Sequence, residues 1–104
     1  MTSLDNIFTA LGDPTRRAIL AHLAQGEATV GDLAAPFAIS LPAISRHLRV
    51  LESASLIVRE RPGPHRVCRL RPETLMAASE WLDAYRAFWT GAFDRLETHL
   101  IQNR

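Results

Sequence analysis

The chain has one cysteine, no lysine, and no apolar run long enough to cross a bilayer. A single cysteine rules out an intrachain disulfide. No CxxC or HxxxH spacing occurs, and His22, His47, His65 and His99 are scattered, so no metal ligand set and no cofactor are expected. The longest uncharged stretch, Leu33 to Ser45, is thirteen residues with two prolines, whereas a membrane helix needs about 18 or more apolar residues. No basic segment leads into an apolar one at the N-terminus, where Asp5 stands, so no secretory signal is expected and the cytoplasm is the expected compartment. Also missing are a nucleophile–base pair, a phosphate-binding glycine loop and paired catalytic carboxylates. No enzyme is expected and no catalytic residue is assigned.

What remains is a chain of 104 residues, 47% apolar and 22% charged, the size of one domain. Its formal net charge is only +1, but the charge is unevenly spread. From Ser40 to Arg71 seven arginines face two glutamates, a net of +5, and the remainder nets −4. A basic segment in a nearly neutral chain points to phosphate contacts on one face. The plainer alternative is that arginine merely solubilises an exposed hairpin.

Within that segment, Ser40-Leu41-Pro42-Ala43-Ile44-Ser45-Arg46-His47-Leu48-Arg49-Val50-Leu51 reads as a helix with two faces. Ser40 suits the N-cap and Pro42 the first turn, where no hydrogen bond is lost. Ile44, Leu48 and Leu51 recur at helical spacing as an apolar stripe, which His47 borders as a hydrogen-bonded structural residue. Pro42, Ser45, Arg46 and Arg49 recur on another face, small and polar with two guanidinium groups. Upstream, Thr29 and Asp32 fit a capping box opening a short helix from about Val30 to Pro36, with Val30, Leu33 and Phe37 facing inward. Two helices joined by a few residues, the second bearing basic side chains near its start, is helix-turn-helix geometry. Leu56 to Arg61 and Arg66 to Leu70 read as strands around a turn at Pro62 to His65, which makes a wing whose tip presents Arg61, His65 and Arg66. Cys68 is expected half-buried on one hairpin face with Arg66 and Leu70.

These segments, with Leu11-Gly12-Asp13-Pro14-Thr15-Arg16-Arg17 ahead of them, resemble the ArsR family of bacterial winged-helix repressors over roughly the first seventy residues. The residues agree locally: Asp13 caps a helix with Pro14 at its first position, and Gly26 can end it. Many members of that family sense metals, some through a cysteine pair on the first helix of the helix-turn-helix. Here Val30 to Ala35 carries no thiol. Others use Asp and His on C-terminal helices; of Asp83, Asp94, Glu97 and His99, only Asp94 and Glu97 lie one turn apart. The resemblance is therefore to the branch that does not sense metals. It implies a sequence-specific regulator, a homodimeric repressor or autorepressor on an inverted-repeat operator. The competing reading is a winged-helix protein-interaction module without a specific DNA site.

From Pro72 to about Leu100 the spacing predicts one long helix. Five of the seven aromatics fall between residues 81 and 93, more than a terminal helix needs for its own domain. Gly91 in mid-helix, about 1 kcal/mol worse than alanine, suggests a close helix contact. The alternatives are an intramolecular cap and an aromatic-lined effector pocket.

The expected architecture is mainly α with a small β-hairpin, a winged helix-turn-helix whose terminal helices form a dimer interface. Residues 1–26 supply N-terminal helices, 29–55 the helix-turn-helix, 56–71 the wing and 72–101 the dimerisation helix. The expected partners are double-stranded DNA, through Ser40, Pro42, Ser45, Arg46, Arg49, Arg61, His65 and Arg66, and a second copy. The second copy is expected on Leu4, Phe8, Leu82, Tyr85, Trp89, Ala92 and Leu96. No membrane partner is expected, and no effector is assigned.

Overall fold

Helix boundaries follow the capping residues closely. In the computed structural model, which describes residues 3–60 and 66–102, α1 (Leu4–Leu11) starts at Ser3, whose hydroxyl accepts from the Asn6 N–H at 3.2 Å. Helix α2 (Pro14–Leu23) starts at Asp13, whose carboxylate accepts from the N–H groups of Thr15 at 2.8 Å and Arg16 at 3.2 Å. After α2 the chain turns at Gly26 with φ of +145°, a backbone state that a side chain would oppose. Then follow β1 (Ala28–Thr29), α3 (Val30–Ala34), α4 (Leu41–Ser53), β2 (Ile57–Glu60), β3 (Val67–Leu70), α5 (Pro72–Asp83) and α6 (Arg86–Gln102).

The α4–β2 corner is a Schellman turn. Ser55 N–H donates to the Glu52 carbonyl at 2.9 Å and Leu56 N–H to the Leu51 carbonyl at 3.0 Å, with Ser55 itself at φ +59°. This turn sends the chain back along α4 as the wing. The Thr74 hydroxyl donates to the Ser55 carbonyl and ties α5 to the same corner.

The core sits where α1, α2 and α4 meet the sheet. Ile19, Ile44, Leu48, Leu51, Leu56 and Cys68 are all fully buried, at 0% exposure. Cys68 is thus deeper than the half-buried position expected of it, because β3 is the middle strand and has neighbours on both edges.

The sheet departs from the expected two-stranded hairpin. It has three antiparallel strands in the order β1-β3-β2, with Ala28 opposite Cys68 and Arg59 also opposite Cys68 on the other side. A two-residue strand shows no alternation, so β1 leaves no periodic signature in the sequence. It is made by its partner.

The C-terminal segment also departs from expectation, since the single helix over Pro72 to Leu100 is two helices. Ala84 and Tyr85 donate to the carbonyls of Trp81 and Leu82, so the ladder tightens from four-residue to three-residue spacing before α6 begins. The last buried residue of α5 is Ala78 and α6 buries none, so no core packing holds one continuous axis through this point. Asp83 and Arg86 pair across the break at 2.8 Å. Helix α3 ends at Ala34, short of Pro36, with Phe37 half-buried after it. No helix among the described residues is long and apolar enough to cross a membrane.

Asp13 supplies a pH test of the α2 cap. The Arg16 backbone N–H, followed by that of Thr15, holds its carboxyl below the ordinary value of 3.8 despite some desolvation. A folded-state pKa that is depressed stabilises above the unfolded value, and the gain is lost as pH falls through the folded one. Asn keeps a capping oxygen but no charge. Asp13→Asn should therefore be less stable than wild type at neutral pH, with the gap in urea midpoint closing below pH 3.8. A gap independent of pH would show that the charge of the cap does nothing.

Candidate nucleic-acid interface

Helices α3 and α4 each start at a side-chain cap. The Thr29 hydroxyl accepts from the Asp32 N–H at 3.1 Å, and the Asp32 carboxylate accepts from the Thr29 N–H at 3.4 Å. The Ser40 hydroxyl accepts from the Ala43 N–H at 3.3 Å and opens α4. Ile44, Leu48 and Leu51 press α4 onto the core, which leaves Pro42, Arg46 and Arg49 exposed on the opposite side. Ser45 lies half-buried on the flank between the two faces. Leu41, 61% exposed, and Ile39, 42% exposed, add an apolar patch at the start of α4 that the sequence analysis did not single out.

One cation braces this helix against the N-terminal pair. Arg16 donates from Nε to the Ala10 carbonyl at 2.7 Å and from a terminal nitrogen to the Thr9 carbonyl at 3.1 Å. Its other terminal nitrogen lies 3.3 Å from His47 Nδ1 on α4. A guanidinium has no acceptor, so the imidazole nitrogen must accept. His47 is the hydrogen-bonded structural residue expected, and Arg16 is its partner.

The wing carries the basic face onward. Alternation on β2 and β3 puts Ile57, Cys68 and Leu70 against the core and then, further along the same face, Arg59 and Arg66. Arg66 is exposed, and with Arg49, Glu52 and Arg59 it lines a cleft between α4 and the wing. Arg49 and Arg66 are thus brought together, with Arg46 one turn earlier on α4. Arg61 and His65 lie outside the described residues. Arg59 was missed because its strand was read for its tip; the cross-strand partner Cys68 and the period-two pattern carry the signal. On the outer face Arg69 pairs with Glu60.

A second surface lies where α1 packs on α5. Phe8 meets Trp81 edge-on at 5.5 Å between ring centres, and Trp81 leans on Tyr85 at 5.1 Å. Leu4 is half-buried there, but Leu82, Tyr85, Trp89 and Leu96 are exposed at 37%, 47%, 47% and 54%. Ala92 is half-buried on α6. The radius of gyration, 18.3 Å with extents of 63 × 32 × 21 Å, exceeds the ~13 Å of a compact chain this long because α6 projects from the body. A Cβ built on Gly91 would meet only the flexible Arg95 side chain, at 3.7 Å, so nothing within the chain requires glycine there. Among the described residues, no three His, Cys, Asp or Glu side chains gather in a way that could hold a metal ion.

Residues 11–60 match a family model described as a helix-turn-helix domain. The chain is 44% identical over 90 residues to the HTH-type transcriptional regulator Rv2034 of Mycobacterium tuberculosis, covering 86% of this chain and 81% of that one. It is 40% identical over 79 residues to the transcriptional repressor SdpR of Bacillus subtilis, covering 76% and 88%. Among solved structures, the ArsR family transcriptional regulator RHA00566 superposes with a TM-score of 0.78 at 40% identity, over 84% of this chain and 96% of that one. The homodimeric winged helix-turn-helix DNA-binding domain Mb0332 of Mycobacterium bovis superposes with a TM-score of 0.65 at 27% identity, over 79% of each.

Burial pushes the Cys68 thiol above its ordinary value; Arg59 opposes the shift and Glu52 adds to it. A protonated thiol at 0% exposure is a poor nucleophile. Iodoacetamide should label Cys68 slowly in the folded protein at neutral pH and rapidly in urea. Fast labelling of the native state would show an accessible, reactive thiol instead.

Proposed function

The chain belongs to the ArsR family of winged helix-turn-helix transcriptional regulators, and on that premise we propose that it is a homodimeric repressor that reads an inverted-repeat operator with α4. The observation that carries this reading is the two-sidedness of α4. Three fully buried apolar residues hold one face down, and the opposite face offers Pro42, Arg46 and Arg49 to solvent. Arg46 has the reach for a bidentate pair with guanine, and exposed Leu41 suits a thymine methyl. Ser40 and Ser45 sit at the N-terminal end, where a recognition helix meets base edges, and the wing arginines hold backbone phosphates. The chain acts by binding rather than by catalysis, in the cytoplasm where the DNA is.

The dimer reading rests on the exposed aromatics of α5 and α6 and on the projection of α6 from the body. Leu82, Tyr85, Trp89, Ala92 and Leu96, with Leu4 and Phe8 of α1, form the surface assigned to a second copy. The homodimeric state of the Mycobacterium bovis domain supports it. Two copies would set two α4 helices about one DNA turn apart, ~34 Å, on an inverted repeat.

Arg46→Ala should flatten the preference for operator over random duplex by about 1–3 kcal/mol while leaving the fold intact, as read by footprinting on the protein's own promoter with circular dichroism. Retained specificity would remove Arg46 from the readout, and no salt-dependent DNA binding by wild type would favour a protein-interaction module.

Leu82→Asp should give a folded monomer in sedimentation velocity, because a carboxylate in an apolar seam is heavily penalised. Operator affinity should fall far more than for any single wing substitution, since one winged helix reaches one half-site. A wild-type chain that stays monomeric at tens of micromolar would overturn the dimer.

A further inference from the structure

The cleft between α4 and the wing has a volume of about 190 Å³ and is lined by Arg49, Glu52, Arg59 and Arg66. Three guanidinium groups thus face one carboxylate. The innermost, Arg59, has a side chain only 11% exposed, and its Nε is buried with no hydrogen-bond partner among the described residues. Its nearest counter-charge is Glu52 Oε1 at 3.8 Å, an ion pair too long to be a hydrogen bond. A buried charged donor left unsatisfied is unfavourable, and buried polar groups are normally paired. The sheet alternation that puts Ile57 and Cys68 into the core puts Arg59 and Arg66 into this cleft, so the charge lies on the inward face of the wing.

We propose that this cleft is a clamp for one phosphodiester group of the DNA backbone. Arg59 is its deepest donor, and Glu52 holds Arg59 in place until phosphate replaces the carboxylate. The inference rests on the DNA-binding reading given above. Its occupant is a backbone phosphate because Arg49, at the rim, lies one turn from Arg46 on the exposed face of α4, so the cleft is continuous with the surface assigned to the groove. Arginine suits the task, since its planar fork donates to two phosphate oxygens at once.

The test compares wild type, Arg59→Gln and Glu52→Gln for affinity to operator and random duplexes across a salt series. Arg59→Gln should weaken both duplexes by the same factor, roughly three- to tenfold at low salt, and lower the slope of log K against log salt by about one. Glu52→Gln should tighten binding to both, because no carboxylate then competes with phosphate. Circular dichroism checks the fold of Arg59→Gln; if it does not fold, the sign of the Glu52→Gln effect decides. An unchanged slope in folded Arg59→Gln, or weaker binding by Glu52→Gln, overturns the clamp while operator preference in wild type leaves the regulator reading standing. Wild type without salt-dependent binding overturns both. Calorimetry with inorganic phosphate and free protein should show no saturable binding at millimolar concentration. Saturable binding that Arg59→Gln abolishes would make free phosphate the ligand and overturn the assignment to the backbone.

Discussion

The placement of α4 rests on its buried apolar face, Ile44, Leu48 and Leu51, and one cation ties that docked helix to the N-terminal pair. Arg16, in the first turn of α2, caps the last carbonyls of α1 at Thr9 and Ala10 and also reaches His47 on α4. The C-terminal carbonyls of a helix have no partners of their own, and a guanidinium satisfies them with charge-assisted bonds aligned with the helix dipole. Arg17 does the same for Leu11 at 2.7 Å. The tandem arginines after Asp13-Pro14 therefore close α1, while Asp13 opens α2. Through His47 that junction adds a polar contact to the apolar docking of α4, whose exposed face lies opposite the buried stripe.

The charged side chains of the basic half lie around that docking, since no polar or charged residue among the described ones is fully buried. Apolar stripes on α4 and the sheet meet in one core, and the arginines are left at its rim. Where helix and wing diverge, the rim becomes a cleft. Arg59 is the residue most affected, because its strand position points it inward after the apolar positions have run out.

The other half of the molecule has the opposite character. Packing of α1 on α5 buries Ile7, Ala10 and Ala78, but leaves large rings along α5 and α6 in water. A chain that projects an aromatic arm in this way has apolar surface to cover on association. On the dimer proposed above, the spacing of two α4 helices would be set by how the arms meet.

Local chemistry was legible in the amino-acid order. Ser40, Thr29 with Asp32, and Asp13 with Pro14 mark helix starts because a cap needs only residues within one turn, and each cap is present as a hydrogen bond. The stripe of Ile44, Leu48 and Leu51 was legible because helical period and burial agree along a single element. Strand β1 was not, since two residues become a strand only when β3 lies beside them. Nor was the division into α5 and α6, which falls where tertiary packing stops. Arg16 with His47 and Arg59 with Glu52 span 31 and 7 residues, and each pairing joins two different elements, so the pattern along either element does not reveal it. By itself the sequence determined where the capped helices begin, which faces are apolar and where positive charge is concentrated, because these depend on neighbours along the chain. Only the tertiary structure decided which arginine braces the fold, which one lies buried in a cleft and which rings remain in water, because those depend on neighbours in space.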